Sequence, residues 1–141
     1  MKKEAEVMTS FELEVKQEFL VEALMNLSQV QALFDNFDSS ADSKAWLDKM
    51  FFVAHNLKGG SLSVGFNEIA GITNHLETLI LKIKNDEIQL SPQILKTIMN
   101  SNDRLVEMLH VLQNDFGAHF DNQKYLTEIQ SCYVKTSKIA N

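Results

Sequence analysis

Apolar residues recur at steps of three and four positions along most of the chain, and this spacing is typical of helices with one buried face. The first stripe of such residues consists of Val15, Phe19, Ala23, Leu27, Val30, Phe34 and Phe37. Asp38, Ser39 and Ser40 interrupt it with side chains that favour turns. The pattern therefore predicts a first helix over residues 11–37.

A second stripe, of apolar residues and one small polar residue, follows this break. Its members are Leu47, Met50, Ala54, Leu57 and Ser61. Asp42 or Ser43 can accept hydrogen bonds from the unpaired amides at a helix start, so we expect the second helix to begin near Lys44. We expect it to end around Val64 and Gly65, because glycine commonly follows the last residue of a helix.

The next stripe predicts a third helix. It consists of Ile69, Ile72, Leu76, Leu79 and Ile83. Asn67 is the expected cap of its first turn, with Glu68 inside that turn. Asn85 and Asp86 favour a turn, so we expect the helix to stop there.

Ser91 followed by Pro92 indicates the start of a fourth helix, because proline suits the first helical position. Its stripe consists of Ile94, Ile98, Leu105, Met108 and Leu112, and the helix is expected to close near Gly117. A shorter fifth helix over about residues 121–139 is predicted by Tyr125, Leu126, Ile129, Cys132 and Tyr133.

Short connections between the middle helices favour antiparallel neighbours. The sequence therefore predicts an all-α fold, an antiparallel up-down four-helix bundle with an additional fifth C-terminal helix. Residues 1–10 are predicted to form a flexible N-terminal tail. Residues 11–141 are predicted to form a single domain, in which the bundle covers about residues 11–117.

The composition agrees with a helical globular domain. Of the 141 residues, 45% are apolar and 23% are charged, and only five glycines and one proline are available for turns. Cys132 is the single cysteine, which excludes an internal disulfide framework and fits a reducing compartment. A cytoplasmic location is the resulting prediction.

The charge pattern narrows the class of partner. The net charge is −6, with acidic and basic residues interspersed, which argues against nucleic acid or an anionic membrane. No apolar run resembles a secretory signal or a membrane span. We therefore expect the partner to be another protein.

The second predicted helix contains the most distinctive polar group. His55 lies off the buried stripe and should face solvent, with Lys58 and Gly59 three and four positions later on the same face. A glycine inside a helix costs about 1 kcal/mol relative to alanine, so Gly59 and Gly60 beside a histidine require a reason. Open access to the imidazole is one reason, and a helix C-terminus is the alternative.

These residue types suit a carrier of phosphoryl groups. A neutral imidazole has a nucleophilic nitrogen near neutral pH, and Lys58 can bind phosphoryl oxygens by charge-assisted hydrogen bonds. The absence of a side chain at Gly59 leaves room for a partner to approach in line. A carboxylate is expected to hold the other ring nitrogen of His55, and Glu77 on the third helix is the candidate.

The pattern H-x-x-K-G-x-S-x-x-x-G from His55 to Gly65 resembles that of histidine phosphotransfer (HPt) domains. Gly65-Phe66, the stretch 74–77 and the turn 85–90 are similar to the N-terminal phosphotransfer domain of the chemotaxis kinase CheA. The resemblance covers roughly residues 11–129. One departure is Asn74, where many CheA domains have a second histidine; here His75 comes one position late.

The resemblance implies specific roles and partners. His55 would be phosphorylated at the ring nitrogen remote from the backbone, and Glu77 would orient the ring. The partners would be the catalytic domain of a histidine kinase and the receiver domain of a response regulator. Those partner domains would supply ATP and Mg²⁺, and this chain would bind no cofactor itself.

Phe51, Phe52 and Leu62 flank His55 and are predicted to dock the receiver, although core packing is the alternative for one of the two phenylalanines. His75, His110 and His119 are scattered at positions that do not suggest a metal site.

Three functions remain open from the sequence. The leading hypothesis is a phosphorelay carrier that is not an enzyme, because the sequence contains no glycine-rich nucleotide loop. The second is a detached phosphotransfer domain of a CheA-type kinase. The third is a helical adaptor that has lost phosphotransfer.

Overall fold

The structure is a computed structural model, and it describes residues 8–35 and 43–134. These residues form helices and connections without a β-strand, as the predicted all-α class requires. The helices are α1 (Ser10–Asp35), α2 (Ser43–Val64), α3 (Asn67–Lys84), α4 (Pro92–Asn114) and α5 (Gln123–Tyr133).

The first four helices form a closed ring of neighbours. Helix α1 packs against α2 and α4, and α3 packs against α2 and α4, while the backbones of the diagonal pairs within the described residues stay farther apart. Lys16 near the start of α1 donates to the carbonyl of Val64 at the end of α2. Lys84 at the end of α3 pairs with Asp48 near the start of α2, at 2.8 Å. These contacts make neighbours antiparallel and confirm the four-helix bundle.

The buried faces follow the predicted stripes closely in the two middle helices. Every predicted stripe residue of α2 and α3 is buried. In α1 the match is looser, because Phe19 and Phe34 are only half-buried whereas Leu20, outside the predicted stripe, is completely buried. The buried face of α1 is therefore displaced in part from the predicted stripe, toward Leu20.

The start of α3 differs from the prediction. Asn67 is the first residue of the helix, and Phe66 takes the capping position without a side-chain hydrogen bond. Gly65 has a φ of 87°, the left-handed region that glycine adopts readily, and the amide of Phe66 bonds to the carbonyl of Ser61 at 2.8 Å. The turn between α2 and α3 is therefore too tight to place Asn67 outside the helix.

The start of α4 confirms the prediction. Pro92 is the first helical residue, and the Ser91 hydroxyl accepts a hydrogen bond from the amide of Ile94 at 3.2 Å. The helix ends at Asn114, slightly before the predicted end near Gly117.

Helix α5 lies on the side of the bundle, against α3 and α4. Arg104 of α4 holds its start, since Nε donates to Oδ1 of Asn122 at 2.9 Å and the guanidinium lies 5.1 Å from the ring centre of Tyr125. At its end, Nδ1 of His75 lies 2.7 Å from the hydroxyl of Tyr133. The described helix ends at Tyr133, and Val134 adopts an extended backbone.

Several predictions concern parts of the chain that lie outside the described residues. These are most of the N-terminal tail, the turn at 38–40, Phe37, Asp42 and the predicted continuation of the last helix to residue 139. Among the helices described, none has the length and apolar character needed to cross a membrane.

Candidate functional site

His55 stands on the outer face of α2. Its side chain is 61% exposed, whereas its neighbours Ala54 and Leu57 belong to the core. The helix continues to Val64, so the glycines after His55 lie within a helix and do not end it. The imidazole is therefore displayed on a rigid element and is open to solvent.

One carboxylate joins His55 to the nearest cation. Oε2 of Glu77 lies 2.6 Å from Nδ1 of His55, and Oε1 of the same group lies 2.6 Å from Nζ of Lys58. Glu77 projects from α3, the antiparallel neighbour of α2, and its side chain is only 14% exposed. The structure thus brings together the three charged or ionisable residues that the sequence placed in the site.

The environment of Glu77 keeps it ionised. Burial acts to raise its pKa, but the hydrogen bonds from Lys58 and His55 outweigh burial, so the pKa lies below its ordinary value. An ionised carboxylate only accepts hydrogen bonds, so Nδ1 of His55 must carry the proton that is shared with it. The lone pair of the ring is then on Nε2, the nitrogen that points away from Glu77.

A fourth polar residue, Asn74, also contacts the site, although the sequence analysis did not assign it to the site. Nζ of Lys58 donates to Oδ1 of Asn74 at 3.4 Å. Asn74 lies three positions before Glu77 and therefore on the same face of α3. That spacing was the available signal. His75, by contrast, points to α5, where it contacts Tyr133.

The two adjacent glycines serve different purposes. A Cβ added at Gly59 would meet nothing within 4 Å, so the surface one turn beyond His55 is open, as predicted. A Cβ at Gly60 would lie 2.6 Å from Cε1 of Phe19 on α1. Gly60 therefore allows close packing of α1 on α2, a role that no pattern within α2 reveals.

The three predicted docking residues lie in different environments. Phe52 and Leu62 are 56% and 57% exposed, which is unusual for large apolar side chains. Phe51 is half-buried, and its ring stacks on the imidazole of His55 with centroids 5.9 Å apart and planes at 15°. Nζ of Lys84 lies 4.9 Å from the centre of the Phe51 ring.

Comparison with known proteins connects this geometry to a family. The model of the Hpt domain matches residues 14–115. The sensor histidine kinase CheAY of Helicobacter pylori is 27% identical over 79% of this chain and 14% of its own length. The chemotaxis protein CheA of Treponema pallidum is 25% identical over 68% of this chain and 12% of its own.

The chemotaxis protein CheA of Salmonella typhimurium is 30% identical over 60% of this chain and 12% of its own length. The chain thus spans 12–14% of the length of these curated relatives. No solved structure shows significant similarity to it. The match to the family model covers most of the bundle, including His55 and Glu77, and the chain therefore belongs to the Hpt domain family, the phosphotransfer modules of two-component signalling.

Proposed function

We propose that the chain carries a phosphoryl group on Nε2 of His55, received from a histidine kinase and exchanged with the aspartate of a receiver domain. The observation that supports this most strongly is the shared carboxylate of Glu77, which contacts Nδ1 of His55 and Nζ of Lys58 at 2.6 Å each. It leaves the exposed Nε2 as the nucleophile.

In the loading step, the lone pair of Nε2 attacks the γ-phosphorus of ATP held by the kinase. The bond from that phosphorus to the bridging oxygen breaks, and the electron pair leaves with ADP. The ring keeps its proton on Nδ1 and becomes positively charged, and the carboxylate of Glu77 stabilises this charge. In unloading, an aspartate oxygen attacks phosphorus and the electron pair of the N–P bond returns to Nε2.

Lys58 supplies positive charge beside the transferred group. Its ammonium forms an ion pair with Oε1 of Glu77 at 2.6 Å and donates to Oδ1 of Asn74 at 3.4 Å, and as a group with three donors it can also bind a phosphoryl oxygen. Neither Lys58 nor Glu77 carries out ATP chemistry. In this proposal ATP and Mg²⁺ are therefore supplied by the partner domains, and the chain is a carrier rather than an enzyme. A cytoplasmic location remains a prediction.

We infer that Phe52 and Leu62 dock the receiver. They lie three positions before and seven positions after His55, on the ridge that also includes Gly59, so two apolar side chains flank the imidazole and the open backbone. Replacing either by alanine should raise the KM for the receiver. Val111→Ala is the matched control, because Val111 is exposed on α4, which does not contact α2.

The proposal is tested by incubating the protein with ATP and the catalytic domain of a CheA-type kinase. We expect a phosphoryl group on the protein that is labile in acid and stable in alkali, and that moves to a receiver domain on addition. His55→Gln should abolish labelling, whereas His110→Gln, at an exposed position on α4, should not. A folded protein that stays unlabelled with several such kinases would support the adaptor hypothesis instead.

A second candidate function is favoured by the comparisons. The matched region is 14% of a sensor histidine kinase, CheAY, and 12% of a chemotaxis protein CheA, so the second candidate is that the chain is the phosphotransfer domain of a CheA-type kinase. The two functions use the same site but differ in the size of the native protein. An immunoblot of the source cells with an antibody raised against this chain would favour the kinase if it detected a protein much larger than 141 residues.

A further inference from the structure

The hydrogen bond to Glu77 restrains one atom of the His55 ring. The orientation of the ring is set by two side-chain torsions, χ1 and χ2, which a single hydrogen bond at Nδ1 does not fix completely, and 61% of the side chain is exposed. In-line transfer requires Nε2 to point at phosphorus within a narrow range of directions. A second contact is therefore needed to restrain the plane of the ring.

Phe51 makes this contact. It lies four positions before His55, on the same face of α2, and the two rings are nearly parallel, at 15°, with centroids 5.9 Å apart. This separation is within the range of offset stacking. Phe51 is half-buried and packs against the hydrophobic core, so its ring has less freedom than the exposed imidazole.

The ring of Phe51 is itself held from the neighbouring helix. Nζ of Lys84 lies 4.9 Å from its centroid and 2.8 Å from Oδ1 of Asp48, three positions before Phe51 on α2. Asp48 also pairs with Lys44 at 3.3 Å. Lys84 of α3 thus contacts the ring of Phe51 and is itself held by Asp48 of α2, and Phe51 in turn contacts the imidazole.

We propose that Phe51 is a positioning residue for phosphotransfer, and that its ring, held by Lys84, sets the plane of the His55 imidazole so that Nε2 faces the phosphoryl donor. This inference rests on the proposed function of His55. It gives Phe51 a role in the chemical step that does not require contact with a partner protein.

A small phosphoryl donor separates a role of Phe51 in the chemical step from a role in docking a partner protein. With phosphoramidate, Nε2 attacks phosphorus and ammonia leaves with the electron pair of the donor's N–P bond, so no docking surface takes part. Phe51→Leu should slow this reaction by about threefold to tenfold, the range expected for loss of an aromatic contact. Phe51→Tyr keeps a ring and should restore the wild-type rate. Phe11→Leu, at a 72% exposed phenylalanine on α1, is the matched control and should have no effect.

A spectroscopic measurement reports on the ring directly. Three-bond couplings across χ1 and χ2 of His55 should show one dominant side-chain conformation, and hence one ring plane, in the wild type and conformational averaging in Phe51→Leu. Lys84→Met, which frees Phe51 without removing its ring, should give a smaller change in the same direction. This second variant keeps the test available if Phe51→Leu does not fold.

The outcomes distinguish this inference from the proposal beneath it. Equal phosphoramidate rates and a single His55 rotamer in Phe51→Leu and Lys84→Met would overturn the positioning role. Failure of the wild type to be labelled would overturn the phosphoryl-carrier function, while the couplings would still decide whether Phe51 orients the ring.

Discussion

At the scale of single residues, the proposed reactivity of His55 depends on Glu77. The carboxylate lies 2.6 Å from Nδ1 and is paired with Lys58, so it favours the tautomer with the proton on Nδ1 and, in the proposed reaction, would face the positive charge that forms on the ring. Neither effect is available to an isolated surface histidine. The site is therefore formed by two helices: α2 supplies His55 and Lys58, and α3 supplies Glu77.

Removing this carboxylate should impair loading of the histidine. Glu77→Ala is expected to slow phosphorylation of His55 by about 10²- to 10⁴-fold, the range for a positioned acid or base. Glu77→Gln should slow it less, because an amide oxygen still accepts from Nδ1. Initial rates with the kinase domain or phosphoramidate measure the effect, with Glu22→Ala on the exposed face of α1 as control. An unchanged rate in Glu77→Ala would exclude Glu77 from the site.

The lowered pKa of Glu77 also predicts a pH dependence of stability. A carboxyl group whose pKa is lower in the folded state stabilises the fold above its unfolded value, near 4.5, and this contribution is lost as the pH falls through the folded value. Wild type should therefore exceed Glu77→Gln in free energy of unfolding at pH 7. The difference should shrink as the pH is lowered below about 4.5. Urea unfolding across this range measures it, and a difference that widens in acid would contradict the assignment.

At the scale of helices, the paired glycines show how one sequence feature serves two purposes. Both lie inside α2, where glycine weakens a helix. Gly59 faces open space and Gly60 faces the ring of Phe19, which packs in turn against Phe66 with ring centroids 6.0 Å apart. One position is open for a partner, and the other sets the distance between α1 and α2.

Alanine substitutions at the two positions should have opposite effects. Gly59→Ala is expected to raise the free energy of unfolding by about 0.5–1 kcal/mol, because it restores helix propensity without a clash. Gly60→Ala should lower it by about 1–3 kcal/mol, the cost of overpacking against Phe19. Urea denaturation measures both values. The loss at position 60 should diminish in a Phe19→Leu background, and effects of the same sign would show that the glycines are equivalent.

The helices themselves were predictable because apolar spacing records which face is buried. The stripes of α2 and α3 were correct at every position, and so was the cap at Ser91. The start of α3 was wrong because the left-handed turn at Gly65 depends on backbone bonds between two helices.

Contacts between helices limited the prediction of the site. His55, Lys58 and Gly59 share one face of one helix, so their grouping follows from spacing alone. Glu77 came from resemblance and a guess at the neighbouring helix, and the structure places it in contact with His55. The stacking of Phe51 on His55 and the contact of Lys84 with Phe51 were not predicted. The spacing places Phe51 near His55, but it does not determine which rotamer each side chain adopts.

At the scale of the whole molecule, the bundle is a support that displays one imidazole, which in the proposed function two different proteins must reach. Its core involves all five helices, whereas the ridge of Phe52, His55, Gly59 and Leu62 remains exposed. In the proposed function, loading and unloading use the same nitrogen, so both partners would have to approach this ridge.

Filling the open position on the ridge should separate chemistry from docking. Gly59→Leu is expected to retain phosphorylation by phosphoramidate and to lose most transfer to the receiver, because the new side chain occupies the space that the receiver must enter. Gly59→Ala should lie between this variant and wild type. Transfer rates from the purified phosphoprotein measure the effect, and circular dichroism checks that helix content is retained. Normal transfer by Gly59→Leu would show that the receiver approaches from elsewhere.

The most direct test of the central claim is to locate the phosphoryl group by nuclear magnetic resonance in protein treated with phosphoramidate. We predict a phosphorus coupling to Nε2 of His55, with the proton on Nδ1 shared with Glu77, and no such coupling in His55→Gln. A phosphoryl group on Nδ1 of His55 or on another residue, or a folded protein without any N–P coupling, would contradict the account.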